Sequence, residues 1–242
     1  MKSIFNFFFV AALLAPALGS HAQFVQDKAI RSGEPDDGRI QLMQIEVFDN
    51  STRQGVPANI LIKGLNPRIT TELKNITDTT LEIKNYRLYT VSCVKPGYMY
   101  FAHKFWPDES KVHVEPVPLI PLAVGAKCDI LDITFLGDET EIYHKSTPAL
   151  NELLQWLDVN PNVKICIIGH VNGPDKKIGD NYYMKASEKR AEAVMDYLVD
   201  HGVAAERISA RGAGNKEMIF PDPQTDWQTD ANRRVEIEVT GL

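Results

Sequence analysis

From Cys128 to Thr240 the apolar residues recur alternately with the period of a strand and the period of a helix, and few folds can accommodate that alternation. Ile130, Asp132 and Thr134 alternate with Leu131, Ile133 and Phe135, as in a strand with one apolar face, and Gly137-Asp138-Glu139 ends it. Ser146 and Pro148 then open a helix that carries Leu150, Leu153, Leu154 and Leu157 along one side and stops at Asn160-Pro161. Val163, Ile165 and Ile167 alternate with Lys164 and Cys166 in a second strand that turns at Gly169. Ala191, Val194, Met195 and Leu198 form the next helical stripe, closed by Gly202 at a left-handed C-terminal position. Ile208 to Arg211 gives a third strand before Gly212-Ala213-Gly214, and Val235, Ile237 and Val239 alternate through the last. The segment 123–242 therefore reads as a βαβαββ unit of an α+β protein.

Three polar groups fall at the ends of these elements. His170, Val171 and Asn172 follow the glycine at the C-terminal end of a strand, Arg190 stands one residue before its helical stripe, and Asn232-Arg233-Arg234 opens the final strand. From the edge of a stripe an arginine can bury its stem and present its fork to a cleft. Successive strand residues point to opposite faces, so at most one of Arg233 and Arg234 lines that cleft. His170 is expected to be structural, bonding its own turn through a ring nitrogen, with ligand contact as its second role. The arrangement suits binding rather than catalysis. There is no G-x-S-x-G elbow and no H-E-x-x-H pair, and Gly212-Ala213-Gly214 is followed by Glu217 where a phosphate loop needs glycine.

The N-terminal half has a different texture. Lys2 precedes the apolar run Ile4 to Leu18, and Ser20-His21-Ala22 supplies small residues, so residues 1–22 read as a secretory signal peptide with cleavage expected after Ala22. Residues 23–38 are a polar lead-in expected to be disordered. From 39 to 122, short β-prone runs at Ile40 to Phe48, Asn59 to Lys63, Leu81 to Lys84 and Tyr86 to Val94 are divided by turn signals and lack any helical stripe, which predicts a small all-β sandwich. The aromatic segment Tyr98 to Trp106 is expected in its core, with an exposed partner or glycan surface as the other reading. Pro116, Pro118, Pro121 and Gly125 predict a stiff, extended link between the halves. Before that link the chain is too short, and too poor in long alternating strands, for an outer-membrane barrel.

A net charge of −6 and the lack of any long basic run argue against nucleic acid. Cys93, Cys128 and Cys166 are an odd number with no framework spacing, so no disulfide is expected. The histidines show neither H-x-x-x-H nor C-x-x-C spacing, so the sequence assigns no metal ligands, and it offers no cofactor motif.

Gly169-His170, Ser187-x-x-Arg190-Ala191-x-x-Val194, Gly202-Val203-x-x-x-Arg207-Ile208 and Asn232-Arg233-Arg234-Val235 stand in an order and spacing that resembles the OmpA-like (OmpA/MotB C-terminal) peptidoglycan-binding domain. The stretches Val47 to Ile60 and Tyr89 to Tyr98 resemble the transthyretin-like or carboxypeptidase-regulatory-like sandwich of exported bacterial proteins. The first resemblance implies a periplasmic or outer-membrane-associated protein that recognises the diaminopimelate residue of peptidoglycan stem peptides without catalysis. It places Asn172 on the ligand's amine, Arg190 on its carboxylate and Arg233 at a further contact. The family carries Thr-Asp where this chain has Val171-Asn172, so a neutral amide replaces an anion. Tyr183 occupies the place of a ligand-contacting asparagine, and the loop before Arg190 is about three residues longer than in the family, with Asp175 and Asp180 in it as candidates for the missing charge. A partner in the envelope is expected for the sandwich half.

Overall fold

The computed structural model describes residues 39–64, 69–84, 88–108, 110–136, 141–173 and 179–242. The expected signal peptide and polar lead-in, the turn expected at Gly137 to Glu139 and Asp175 lie outside the described residues.

The N-terminal half forms two sheets. Strands β1 (Ile40–Asp49), β4 (Asp78–Lys84) and β7 (Val112–Leu119) make one, in the order β4-β1-β7. Strands β2 (Ala58–Gly64), β3 (Ile69–Ile76), β5 (Tyr89–Cys93) and β6 (Phe101–Phe105) make the other, in the order β3-β2-β5-β6. Alternate residues of both sheets (Met43, Ile45 and Val47 from β1, Ile60 and Ile62 from β2, Val91 from β5, Val117 and Leu119 from β7) are buried in one shared apolar cluster. Strand β3, whose residues are mostly exposed, was not visible as a hydrophobic run. In the aromatic segment Phe105 is buried in that cluster, whereas Tyr100 is buried in the core of the C-terminal half.

The prolines correct the expected linker. Pro116 and Pro118 lie within β7, which runs parallel to β1 and pairs with no other strand, so their missing N–H groups remove nothing from a second ladder. The connection to the second half is only the short stretch from Ile120 to Ala126.

The C-terminal half contains β8 (Lys127–Ile130), α1 (Thr147–Val159), β9 (Lys164–His170), α2 (Asp180–Asp200), β10 (Ile208–Gly214), α3 (Asp226–Asn232) and β11 (Val235–Gly241). Its sheet has the order β10-β9-β11-β8, with β9 and β10 parallel and β11 antiparallel to both of its neighbours. Leu150, Leu153, Trp156 and Leu157 of α1 and Ala191, Val194 and Leu198 of α2 pack with Ile165, Ile167, Val235, Ile237 and Val239 in one core. Cys166 and Ile168, on the other face of β9, are buried with Ala213, so this central strand is apolar on both sides.

Three local expectations change. Strand β8 ends at Ile130, and Asp132 adopts a left-handed backbone (φ 64°), so Ile130, Leu131 and Ile133 all turn inward instead of alternating. Ser146 does not cap α1 with its side chain, because its hydroxyl accepts the Thr134 N–H at 2.9 Å. Between β10 and β11, where the βαβαββ reading places no helix, the chain forms α3. Gly202 does hold the left-handed position after α2 (φ 99°). Cys93, Cys128 and Cys166 are free thiols.

The halves meet directly. Trp156 of α1 donates its indole N–H to the Tyr98 carbonyl at 2.8 Å, and Gly97 donates its N–H to Asn160 Oδ1 at 2.8 Å. Tyr100 donates to Glu152 at 3.1 Å, and the Lys63–Glu152 and Lys104–Asp132 ion pairs cross the same junction. Met99 and Tyr100 are buried in the C-terminal core.

Candidate functional site

The site is organised by one close approach. A Cβ at Gly169 would lie 2.1 Å from the Ser187 carbonyl oxygen and 3.3 Å from the Ala191 nitrogen, so α2 rests on the backbone of β9 at that residue. Ser187 fastens the contact: its hydroxyl donates to the Met184 carbonyl and accepts the Gly214 N–H, both at 2.8 Å. Gly212 is equally confined, with a Cβ placed 2.4 Å from Ser187 Oγ. Glycine, serine and alanine in these motifs are thus explained by helix-on-sheet packing before any ligand is considered.

Arg190 follows on the same helix. It is 8% exposed, and its guanidinium carbon lies 5.2 Å from the centroid of the Phe135 ring. The expected edge position is therefore drawn further inward, onto an aromatic face that suits a planar cation.

The start of the loop after β9, residues 171–173, is fixed by Asn232, which is fully buried. Its amide donates to Asn172 Oδ1 at 2.8 Å and to the Phe220 carbonyl at 2.8 Å, and its own oxygen accepts the Phe220 N–H at 2.9 Å. Asn215 donates to the Gly173 carbonyl at 2.8 Å, and the Tyr183 ring lies where a Cβ of Gly173 would come within 2.7 Å. Tyr183 is 6% exposed, so it packs beneath this loop rather than lining an open surface. Asp180 is exposed in the first turn of α2.

The two arginines of the final motif separate as their alternation requires. Arg233 is exposed and bonds Asp230 at 2.5 Å. Arg234 is buried: it donates to Glu236 Oε1 through Nε at 2.9 Å and Nη2 at 2.7 Å, and to the Glu217 carbonyl through Nη1 at 3.2 Å. Asp129 lies 3.5 Å from Arg234 Nε. Burial raises the Asp129 carboxyl to about 6 despite that guanidinium. Burial also works against the charge of Glu236, but the His170 ring and Arg234 outweigh it and hold the carboxyl down to about 2.

His170 departs from expectation. Because Gly169 faces α2, strand alternation turns the imidazole to the helix-free face, where Nε2 lies 3.4 Å from Glu236 Oε2. The ring is buried, and neither nitrogen makes a hydrogen bond, so it does not brace its own turn. His170 and Arg190 therefore belong to opposite faces of the sheet. Sequence reasoning missed Asn232 and Arg234 as the residues that set this end of the domain, although both stand inside the Asn-Arg-Arg motif.

Residues 134–234 match the OmpA family model. This segment is an OmpA-like domain. Outer membrane protein A of Escherichia fergusonii is 29% identical over 153 residues, covering 58% of this chain and 62% of that protein. Outer membrane protein A of Serratia marcescens is 31% identical over 123 residues, covering 46% of this chain and 33% of that protein. The chain thus spans less than two thirds of the curated relatives it matches. Among solved structures, the peptidoglycan-associated lipoprotein from Burkholderia pseudomallei is 22% identical, with a TM-score of 0.38, over 46% of this chain and 88% of that one. Among the described residues, no helix of the OmpA-like domain or of the β-rich half is long and apolar enough to cross a membrane.

Proposed function

We propose that this chain is an exported, non-enzymatic protein of the cell envelope that attaches to peptidoglycan, its OmpA-like domain holding the diaminopimelate residue of a stem peptide. The observation that carries the reading is Arg190 at the motif position, held against Phe135 in a segment that matches the OmpA family. A guanidinium in such surroundings offers a carboxylate two parallel charge-assisted bonds, which a lysine cannot reproduce. The amine of the ligand meets Asn172, with Arg233 at the rim and charge supplied by Asp175 from the longer loop or by Asp180, which stands in the first turn of α2 and not in the loop. The β-rich half meets a second envelope partner or serves as a spacer.

Retention by purified sacculi tests this. The chain should co-sediment, and Arg190→Lys, which keeps the charge and loses the fork, should lower retention while the thermal midpoint stays near the parent's. Asn172→Asp should raise affinity by roughly tenfold, the difference between a neutral and a charge-assisted bond. Affinity unchanged by alanine at both Asp175 and Asp180 would remove those two from the site.

A second reading has its own support. Asn172 Oδ1 is engaged by Asn232, and Tyr183 packs against Gly173, so the loop is braced from within as in a structural or protein-interaction module. No retention of the parent chain on sacculi at any pH selects this reading over the first.

A further inference from the structure

On the helix-free face of the OmpA-like domain, donor atoms of His170, Glu217 and Glu236 all lie within 4.8 Å of one another. They come from the end of β9, the turn after β10 and strand β11, so no local spacing in the sequence announces them. From this cluster we propose a divalent transition-metal site of the zinc class, independent of the peptidoglycan reading.

The imidazole points to a ligand by its own state. Its side chain is 1% exposed, yet both ring nitrogens are without a hydrogen-bond partner, a costly condition for a buried polar ring. The Nε2 to Glu236 Oε2 separation is 3.4 Å. Two donors bound at about 2.0–2.2 Å to a tetrahedral zinc stand roughly 3.3–3.5 Å apart, so this edge fits metal ligation better than a hydrogen bond.

The surroundings fit as well. Arg234 takes only Oε1 of Glu236, orienting the carboxylate and leaving Oε2 toward the imidazole. The same guanidinium holds the Glu217 carbonyl, which positions the turn carrying the third donor. It therefore does the work of an outer-shell residue for two ligands at once. Asp129 offsets its charge, so the three carboxylates Asp129, Glu217 and Glu236 outnumber the one guanidinium in a manner that a divalent cation neutralises. Glu217 is exposed, which gives an ion an entry path and leaves a fourth position for water. One imidazole with two carboxylates suits zinc and its neighbours over magnesium or calcium, which take oxygen donors alone.

The test is titration of the full, untagged chain with Zn2+ by calorimetry, and with Co2+ followed by visible absorption. One equivalent should bind, with cobalt bands of a low-coordinate nitrogen and oxygen site. Glu217→Gln, a change on an exposed turn, should weaken binding by at least about tenfold and abolish the cobalt bands without altering the metal-free thermal midpoint. His170→Gln should do the same to binding. Absence of uptake, or uptake that survives Glu217→Gln because the ion sits elsewhere, such as at His103 and His113, would overturn the proposal.

Discussion

A single hydrogen at Cα of Gly169 is what allows α2 to lie on β9. Gly169→Ala would drive a methyl into the Ser187 carbonyl, backbone against backbone, with no flexible side chain to give way. A loss of about 1–3 kcal/mol or more in urea unfolding is expected, since overpacking at a rigid contact is relieved only by moving an element. Arg207, another motif residue, has an equally structural task. Its guanidinium donates to the carbonyls of Val163 at 3.0 Å, Leu157 at 2.9 Å and Asn160 at 2.8 Å, tying off the end of α1. Arg207→Lys should destabilise by about 1.5–3 kcal/mol, because one ammonium cannot serve three carbonyls in that fan. The motif residues Gly169, Ser187, Ala191, Arg207 and Asn232 thus build the domain.

Among the elements, β7 carries a device that holds the N-terminal sheets together. Glu115, buried at 2% exposure, bonds His103 Nδ1 on β6 at 2.6 Å and lies 3.4 Å from His113 Nε2, while Asp108 approaches the other nitrogen of His113 at 3.6 Å. Burial alone would raise the Glu115 carboxyl, but the two histidines outweigh it and hold it below the usual carboxylate range. A carboxyl depressed in the folded state contributes stability above its unfolded pKa and loses it as pH falls through the folded value. Thermal midpoints followed from about pH 7 to pH 3 should therefore drop for the parent chain, and Glu115→Gln should flatten the acid limb. At neutral pH the same change should cost about 1.5–3 kcal/mol.

Elements with a strong period were legible in the sequence: α1, α2, β9 and β11 stand where their stripes and alternation put them. Those set by distant partners were not. Strand β3 shows no apolar face because most of its residues are exposed, and β8 ends early because Asp132 turns the chain left-handed. Proline in β7 resembled a linker since an edge strand tolerates the missing donor. In the candidate site, Arg190 and Asn172 are singled out by motif alone, and which face His170 takes depends on a helix contact to Gly169 that no local pattern encodes.

For the molecule as a whole, the junction is a packed interface and not a tether. Trp156 and Asn160 bond the backbone of Gly97 and Tyr98, and Met99 and Tyr100 are buried among core residues of the OmpA-like domain. The two halves should unfold in one calorimetric transition. Trp156→Phe combined with Asn160→Ala, which takes these partners from the Tyr98 carbonyl and the Gly97 N–H, should split it into two. Two transitions in the parent chain would show the coupling to be too weak to matter.

That junction also changes what mooring would mean mechanically. A flexible leash lets its cargo wander through a volume set by polymer statistics. Here a load applied to the β-rich half would pass through an indole and an amide into α1, and so into the core against which α2, the helix of Arg190, is packed. If the domain is moored as proposed, whatever docks on that half would be borne at a set height and bearing, like a bracket on a wall.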